Sequence, residues 1–229
     1  MTTVLIAHGS PDPRHSATLE RLRTRVEEPL RRAGHGETRL AFIEHDHPTP
    51  GEIAPGLSGP VTVVPMLITP AMHARVDIPA ALRRIAGHGV ATRAVPALGG
   101  HPLLLDAIDE RLRSVGHDPD RGVLLVAGGS SSGQAGRSLS RLLADHPRRG
   151  WTTMTLAAPR AGAAHGRVVV PATLAEGVLH DRVALLAQAA GSPFVGGGLA
   201  DTAALADLVL ERVLDRPRPP GESTRTNGG

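Results

Sequence analysis

The first half of the chain alternates short apolar runs with longer amphipathic stretches. The apolar runs are bounded by Gly, Pro or polar residues, and they lie at 4–7, 38–44, 61–68 and 90–95. Runs of this kind predict buried strands, and apolar positions three and four residues apart between them predict helices. Strands that alternate with helices favour a parallel sheet that is covered on both faces.

The second half of the chain repeats this plan. Its apolar runs predict strands at 123–126, 151–157 and 167–170. Helical spacing of apolar residues follows over about 176–190 and 201–214.

The two halves also match each other in sequence. Residues 4–10 align with 124–130 with one offset, and Val-Val-Pro occurs at both 63–65 and 169–171. We therefore predict an α/β fold of two similar half-domains, each a parallel sheet flanked by helices, with an active-site cleft between them.

The pattern also predicts boundaries for domains and helices. We place the N-terminal half-domain at 1–116, the C-terminal half-domain at 117–215 and a disordered, Pro- and Gly-rich tail at 216–229. Within the first half-domain, Ser16 is predicted to cap the first helix and Asp77 to cap a later one.

Composition excludes several kinds of site. Of the 229 residues, 41% are hydrophobic and 1% are aromatic, so the core has to be built from aliphatic side chains. The chain has no Cys, which excludes disulfides, thiolate zinc sites, iron–sulfur clusters and a cysteine nucleophile. Its apolar runs are far shorter than the roughly 20 residues of a membrane span, and its first residues lack a secretory signal pattern. We expect a soluble cytoplasmic protein with no membrane partner.

The high isoelectric point does not indicate a nucleic-acid partner. It is about 10.9, although the net charge is only +3. All 25 basic residues are Arg, and Tyr, Cys and Lys are absent, so almost nothing titrates between His and Arg. The Arg-only usage suits bidentate binding of carboxylates, and genomic base composition is an alternative explanation for it.

Three polar residues follow the predicted strands of the first half. His8 comes after the first strand, Glu44 closes the second, and His73 lies five residues beyond the third. Because the carboxyl ends of parallel strands open onto one mouth, we expect these side chains to meet there. Two imidazoles and a carboxylate suit a divalent metal such as iron, cobalt, nickel or zinc. The alternative for each residue taken singly is a structural role.

A second histidine pair occurs at 45–47, where the sequence is His-Asp-His. Such a triplet can form a metal clip. Pro48 follows directly, which favours an exposed loop instead.

Several motifs of the first half resemble one family. Residues 5–14 (LIAHGSPDPR), 41–44 (AFIE), and 64–67 (VPML) running on to His73 are similar to the motifs of the class II tetrapyrrole chelatases of the sirohydrochlorin type, CbiX and SirB. The resemblance extends over about residues 3–214, as in the long members of that family with two halves.

The resemblance implies a lyase that inserts Fe²⁺ or Co²⁺ into sirohydrochlorin without ATP, for siroheme or cobalamin biosynthesis. Ni²⁺ is a further alternative, and no organic cofactor is implied. By position, His8, His73 and Glu44 would hold the metal and accept the pyrrole protons. A neutral imidazole is suited to both tasks because it titrates near pH 6.5.

The substrate of that family is a polycarboxylate, which implies cationic and polar contacts around the cleft. We expect these contacts from Ser10, Arg14, Arg75 and Arg160, which follow strand ends. The chain departs from the family pattern after the first His-Gly, where Ser10 stands in place of the usual Arg.

The second half lacks the equivalent metal-binding pair. Gly128 stands at the position of His8, and Leu179 stands at that of His73, with His180 one residue away. We therefore expect one working site per chain, in the first half, with the second half as a wall.

Two other functions stay open at this point. One is a metal or tetrapyrrole carrier without insertion activity, and the other is a chelatase-like enzyme of secondary metabolism that acts on another metal chelator. A monomer is expected because the cleft lies within one chain, and a dimer is the alternative.

Overall fold

Strands and helices alternate along the protein. The computed structural model describes residues 1–68, 72–118, 121–128, 134–160 and 162–214, without the side chains of 72–75 and 134. The tail predicted at 216–229 lies outside the described residues.

Where the structure describes it, the first half contains four strands and four helices. In chain order they are β1 (Thr2–Ala7), α1 (Pro13–Arg32), β2 (Thr38–Phe42), α2 (Pro50–Ile53), β3 (Val61–Pro65), α3 (Met72–Ala86), β4 (Thr92–Ala94) and α4 (Leu103–Ser114). A one-turn 3₁₀ helix, Ala54–Gly56, follows α2.

The second half contains three strands and three helices within its described residues. They are β5 (Val123–Ala127), α5 (Gln134–Asp145), β6 (Trp151–Thr155), β7 (Val168–Ala172), α6 (Val178–Ala189) and α7 (Ala203–Leu214), with a 3₁₀ turn at Leu199–Asp201 before α7.

Each half forms a parallel sheet, which confirms the predicted fold class. The strand order is β2-β1-β3-β4 in the first sheet and β6-β5-β7 in the second. In both sheets the first strand of the half lies between the next two strands. Ala7 is in register with Phe42, and Ile6 with Pro65, so the carboxyl ends of β1, β2 and β3 share one edge.

One aliphatic cluster extends through both halves, and each half has a second cluster of its own. The shared cluster includes Leu5 of β1, Ile108 of α4, Leu125 of β5 and Leu205 of α7, all of which are fully buried or nearly so. Helix α4 of the first half packs against α7 of the second. Each half on its own would expose the apolar side chains that it buries against the other half. The domain boundary at 116/117 therefore stays a prediction.

Polar contacts also connect the two halves. Arg21 of α1 forms a two-pronged ion pair with Asp201, with both nitrogen–oxygen distances at 2.9 Å. Arg148 reaches back to Asp106 and Asp109 of α4 at 2.9 and 3.0 Å. These pairs orient the halves relative to each other.

The structure corrects the predicted start of the first helix. Asp12 caps α1: its backbone is extended, and its side-chain Oδ1 accepts the N–H of Arg14 at 3.0 Å. Pro13 occupies the first helical position, where a missing N–H costs nothing. Ser16 lies inside the first turn, and its hydroxyl donates to the Pro13 carbonyl at 3.3 Å.

The predicted cap at Asp77 is also wrong. Helix α3 begins at Met72, so Asp77 lies in its second turn and Pro79 lies within the helix. His73 is therefore part of the first helical turn rather than of a preceding loop. The second strand ends at Phe42, two residues before Glu44.

Within the described residues, no helix combines the length and the apolar character that crossing a bilayer requires.

We expect Glu110→Ala to lower the free energy of unfolding by about 1 kcal/mol. The Glu110 carboxylate on α4 accepts hydrogen bonds from the N–H groups of Ala203 and Ala204 at 2.9 and 3.2 Å. These N–H groups belong to the first turn of α7 in the other half and have no partner within their own helix. Urea denaturation measures the change. Glu28→Ala on the exposed face of α1 is the control, with an expected loss below about 0.5 kcal/mol, and equal losses would contradict this linking role.

Candidate functional site

A cleft of about 520 Å³ opens between the two halves at the carboxyl ends of their strands. Its first wall comprises residues 8–11 and 66–68, together with His15 and His45, and its second wall is formed mainly by 172–180. This position agrees with the rule that parallel sheets bind ligands beyond the carboxyl ends of their strands.

His8 lies at the centre of the first wall, directly after β1. Its Nδ1 is 3.4 Å from the carbonyl oxygen of Gly9. A carbonyl oxygen only accepts, so Nδ1 is the donor in this contact. The imidazole of His45 is close by, with the two ring centroids 6.2 Å apart and the rings tilted by 40°.

The loop after β2 is fixed against the turn after β1. The N–H of Glu44 donates to the His8 carbonyl at 2.8 Å, and the N–H of Ser10 donates to Oδ2 of Asp46 at 3.0 Å. Gly9 adopts a φ of +95°, and a Cβ at this position would lie 1.7 Å from the carbonyl oxygen of Glu44. Only glycine allows the two backbones to approach so closely.

Glu44 and His73 are the two other residues predicted to bind the metal. The structure describes the side chain of Glu44 but not that of His73. The carboxylate of Glu44 is 56% exposed, and its Oε2 is 3.7 Å from Nε2 of His45. Glu44 is outside the cleft lining itself. His73 lies in the first turn of α3, and its side chain, like that of Arg75, is outside the described residues.

Two further histidines line the cleft. His45 lies in an exposed loop, as expected, and its ring is also close to that of His8. His15 lies in the first turn of α1, and its Nδ1 is buried without a hydrogen-bond partner among the described residues. Burial lowers the pKa of His15, Asp46 opposes this effect, and His8 adds to it. His15 is three residues after the capping residue Asp12. A correct prediction of the helix start would therefore have placed His15 in the first turn of α1.

The predicted substrate contacts occupy different positions around the cleft. Ser10 lines it, and its hydroxyl accepts the N–H of Asp12 at 3.2 Å. Arg14 is not part of the lining, but it is close to it in the chain, and it pairs with Asp12 and reaches Oδ2 of Asp181 in the second half at 2.6 Å. Hydrogen bonds from Arg14 lower the pKa of Asp12 to about 2. Arg160 is exposed beyond β6, outside the lining of the cleft.

In the second half, the position equivalent to the histidine site is filled. A Cβ built on Gly128 would lie 2.9 Å from Cδ1 of Leu179, so the leucine occupies the space next to the glycine. These two residues stand at the positions of His8 and His73 in the repeat. The second wall is consequently apolar, with Leu174 and Val178 beside Leu179.

His180 has a structural environment. It is 7% exposed, its Nε2 accepts the N–H of Gly197 at 3.1 Å, and its Nδ1 donates to Oδ1 of Asp181 at 2.9 Å. Its ring also packs edge-on against Phe194. Both ring nitrogens are therefore used within the second half.

The fold and the site together define a chelatase-like protein, with two parallel α/β half-domains and a histidine-bearing cleft between them. The CbiX family model matches residues 2–115, the first half of the chain. This first half of the chain belongs to the CbiX family.

Solved structures share the fold of the whole chain. SirB from Bacillus subtilis with Fe³⁺ is 18% identical, with a TM-score of 0.74 and 93% of each chain covered. The sirohydrochlorin chelatase SirB from Bacillus subtilis subspecies spizizenii in complex with cobalt is also 18% identical, with a TM-score of 0.70 and 93% of each chain covered. CbiX, the terminal enzyme for biosynthesis of siroheme in denitrifying bacteria, is 21% identical, with a TM-score of 0.67, and the match covers 95% of this chain and all of that one. A search of curated proteins found no match.

We expect Gly9→Ala to destabilise the protein more than Gly34→Ala does. Both glycines have a left-handed φ, of +95° and +87°, but an added Cβ at Gly34 meets nothing within 4 Å. The control therefore reports the conformational cost, roughly 1–2 kcal/mol. The collision with Glu44 should add about 1–3 kcal/mol at Gly9. Chemical denaturation of both variants measures this, and equal losses would contradict the close approach of the two backbones.

Proposed function

We propose that this protein is a lyase that inserts a divalent metal, Fe²⁺ or Co²⁺, into sirohydrochlorin without ATP. The observation that carries the proposal is the pair of unlike walls in one cleft: imidazoles around His8 on one side and apolar side chains around Leu179 on the other. Membership of the CbiX family supports the same reaction class.

The metals bound by similar structures support the choice of ion. SirB has been solved with Fe³⁺ and with cobalt, and CbiX is described as the terminal enzyme of siroheme biosynthesis. Imidazole and carboxylate donors bind iron, cobalt and nickel alike. The cellular supply of metal would therefore decide between the siroheme and the cobalamin pathway, and Ni²⁺ stays an alternative.

Metal insertion requires bases as well as ligands. Two pyrrole N–H bonds break while bonds from the ring nitrogens to the metal form, so two protons have to leave the centre of the ring. We assign this task to the imidazoles of His8 and His73, with the carboxylate of Glu44 holding the metal beside them. An imidazole nitrogen with a lone pair can bind a metal weakly or take up a proton.

The second wall suits one face of a tetrapyrrole ring. Leu174, Val178 and Leu179 present apolar surface, and Val178 and Leu179 are more than 40% exposed. A planar macrocycle would cover this surface and displace water from it, which favours binding. The cleft volume of about 520 Å³ falls within the range of small-molecule sites.

The carboxylates of the substrate would lie toward the open mouth of the cleft. We assign their contacts to Ser10, Arg14 and Arg75, and not to Arg160, which lies outside the lining of the cleft. Arg14 already binds carboxylates, since it pairs with Asp12 and Asp181. A substrate carboxylate would take the place of Asp181 on the same guanidinium. All these contacts come from one chain, so a monomer would be competent.

A non-catalytic carrier is the second candidate. The filled position at Gly128 and Leu179 and the Arg14 guanidinium already paired with Asp181 favour it. Tight binding of sirohydrochlorin without a rate above the uncatalysed background would indicate the carrier.

We expect His8→Ala and His73→Ala each to remove most of the acceleration of metal insertion. Loss of a general base costs about 10²- to 10⁴-fold in rate. The assay follows the absorbance of sirohydrochlorin with Co²⁺, Fe²⁺ and Ni²⁺ in parallel. His88→Ala, on an exposed position of the first half, is the control. Wild-type rates in both histidine variants would overturn the assigned roles.

We expect Leu179→Ser to raise the KM for sirohydrochlorin roughly tenfold with a smaller effect on kcat, because a buried leucine contact is worth about 1.5–3 kcal/mol. Leu185→Ser is the matched control, since Leu185 is an exposed leucine of the same helix that lies outside the cleft. Steady-state kinetics of the two variants test this. An unchanged KM in Leu179→Ser would exclude the apolar wall as the binding surface.

A further inference from the structure

His45 has an unusual backbone for a residue with a bulky side chain. Its φ is +66°, in the left-handed region that favours glycine. The N–H of Asp46 donates to the carbonyl of Glu44 at 2.8 Å, which closes a tight turn with His45 at its centre. Turns with this positive φ at the central residue are the rare and strained form. Strained backbone conformations are common at functional sites, where they hold a side chain in a required position.

The strained turn brings the His45 imidazole to the wall of the cleft next to His8. The ring centroids are 6.2 Å apart. When a metal–nitrogen bond is about 2.1 Å, two imidazoles on one tetrahedral ion have centroids roughly 5–6 Å apart. The observed separation is slightly longer, so a small movement of either side chain would let the two rings share a metal ion.

Glu44 completes a third donor position. Its Oε2 is 3.7 Å from Nε2 of His45. Two donor atoms on one ion lie about 3–3.5 Å apart, so a small movement of the side chains brings them into range. The described residues contain no preformed cluster of three metal-binding side chains. Donor side chains that come together only when the ion binds suit a protein that has to release the metal again.

His47, two residues further along, has a different environment. Its Nδ1 contacts both carboxylate oxygens of Glu52, at 2.9 and 3.1 Å, and its ring lies on the other side of the loop, in a groove beside α1. The two histidines of one triplet are therefore separated by the turn, and only His45 faces the cleft.

We propose that His45 is a ligand for the incoming metal ion, which it holds together with His8 and Glu44 at the mouth of the cleft before insertion. Its accessibility supports this role, since 46% of the side chain is exposed to solvent. Imidazole and carboxylate donors without thiolate bind Fe²⁺ or Co²⁺ while still allowing release. The inference rests on the proposed function, for which it supplies the site where the metal enters.

The test is a titration of the metal-free protein with Co²⁺ in the absence of tetrapyrrole. We expect His45→Asn to bind Co²⁺ about tenfold more weakly than the wild type, because one of three donors is lost. Asn tolerates a left-handed φ, so this variant preserves the turn. His47→Asn is the matched control, with an expected affinity equal to that of the wild type.

A second variant separates the side chain from the backbone. His45→Gly relieves the strain, so we expect the protein to become more stable to denaturant while its Co²⁺ affinity falls as in His45→Asn. Wild-type Co²⁺ affinity in both variants would overturn the proposal, even if metal insertion by the wild-type protein is fast. Weakened Co²⁺ binding in a protein that inserts no metal would instead retain the site and overturn the chelatase function.

Discussion

The contact between the turn after β1 and the loop after β2 is the constraint on which the site depends. Gly9 lies so close to the Glu44 carbonyl that there is no room for a Cβ. Hydrogen bonds on either side of it, from the N–H of Glu44 to His8 and from the N–H of Ser10 to Asp46, join the two segments. The pairing extends the backbone ladder of the sheet beyond the last residues of its strands. Because the sheet core beneath is rigid, the imidazoles are positioned by the backbone rather than by side-chain packing.

The two halves have diverged around the same backbone plan. In the first half, the position after the first strand carries His8, whereas in the second half it carries Gly128, and Leu179 occupies the adjoining space. One wall therefore presents imidazoles, and the other presents an apolar surface. A symmetric cleft with imidazoles on both walls would hold an ion between them and leave no apolar face for a ring. The loss of the second site is thus consistent with a ligand that needs both kinds of wall.

Much of the fold and part of the site were predictable from the sequence. Alternating apolar runs and helical spacing identified the seven strands, most readily those that are buried throughout, such as β1, β3, β5 and β7, and the strand ends indicated His8. The errors arose where local hydrogen bonds decide the structure. Asp12 rather than Ser16 caps α1, and α3 begins before Asp77, because several residues near each boundary can cap. The position of His45 depends on a strained turn that no periodicity encodes.

The cleft is held firmly at its base and weakly at its mouth. At the base, the halves share one apolar core, and the ordering of that core fixes the distance between the two walls. At the mouth, Arg14 and Asp181 connect the halves through an ion pair whose side chains are 44% and 48% exposed. Exposed pairs of this kind contribute about 0–1 kcal/mol. Exchange of Asp181 for a substrate carboxylate would therefore cost little, while the spacing between the imidazoles and the apolar wall stays set by the core.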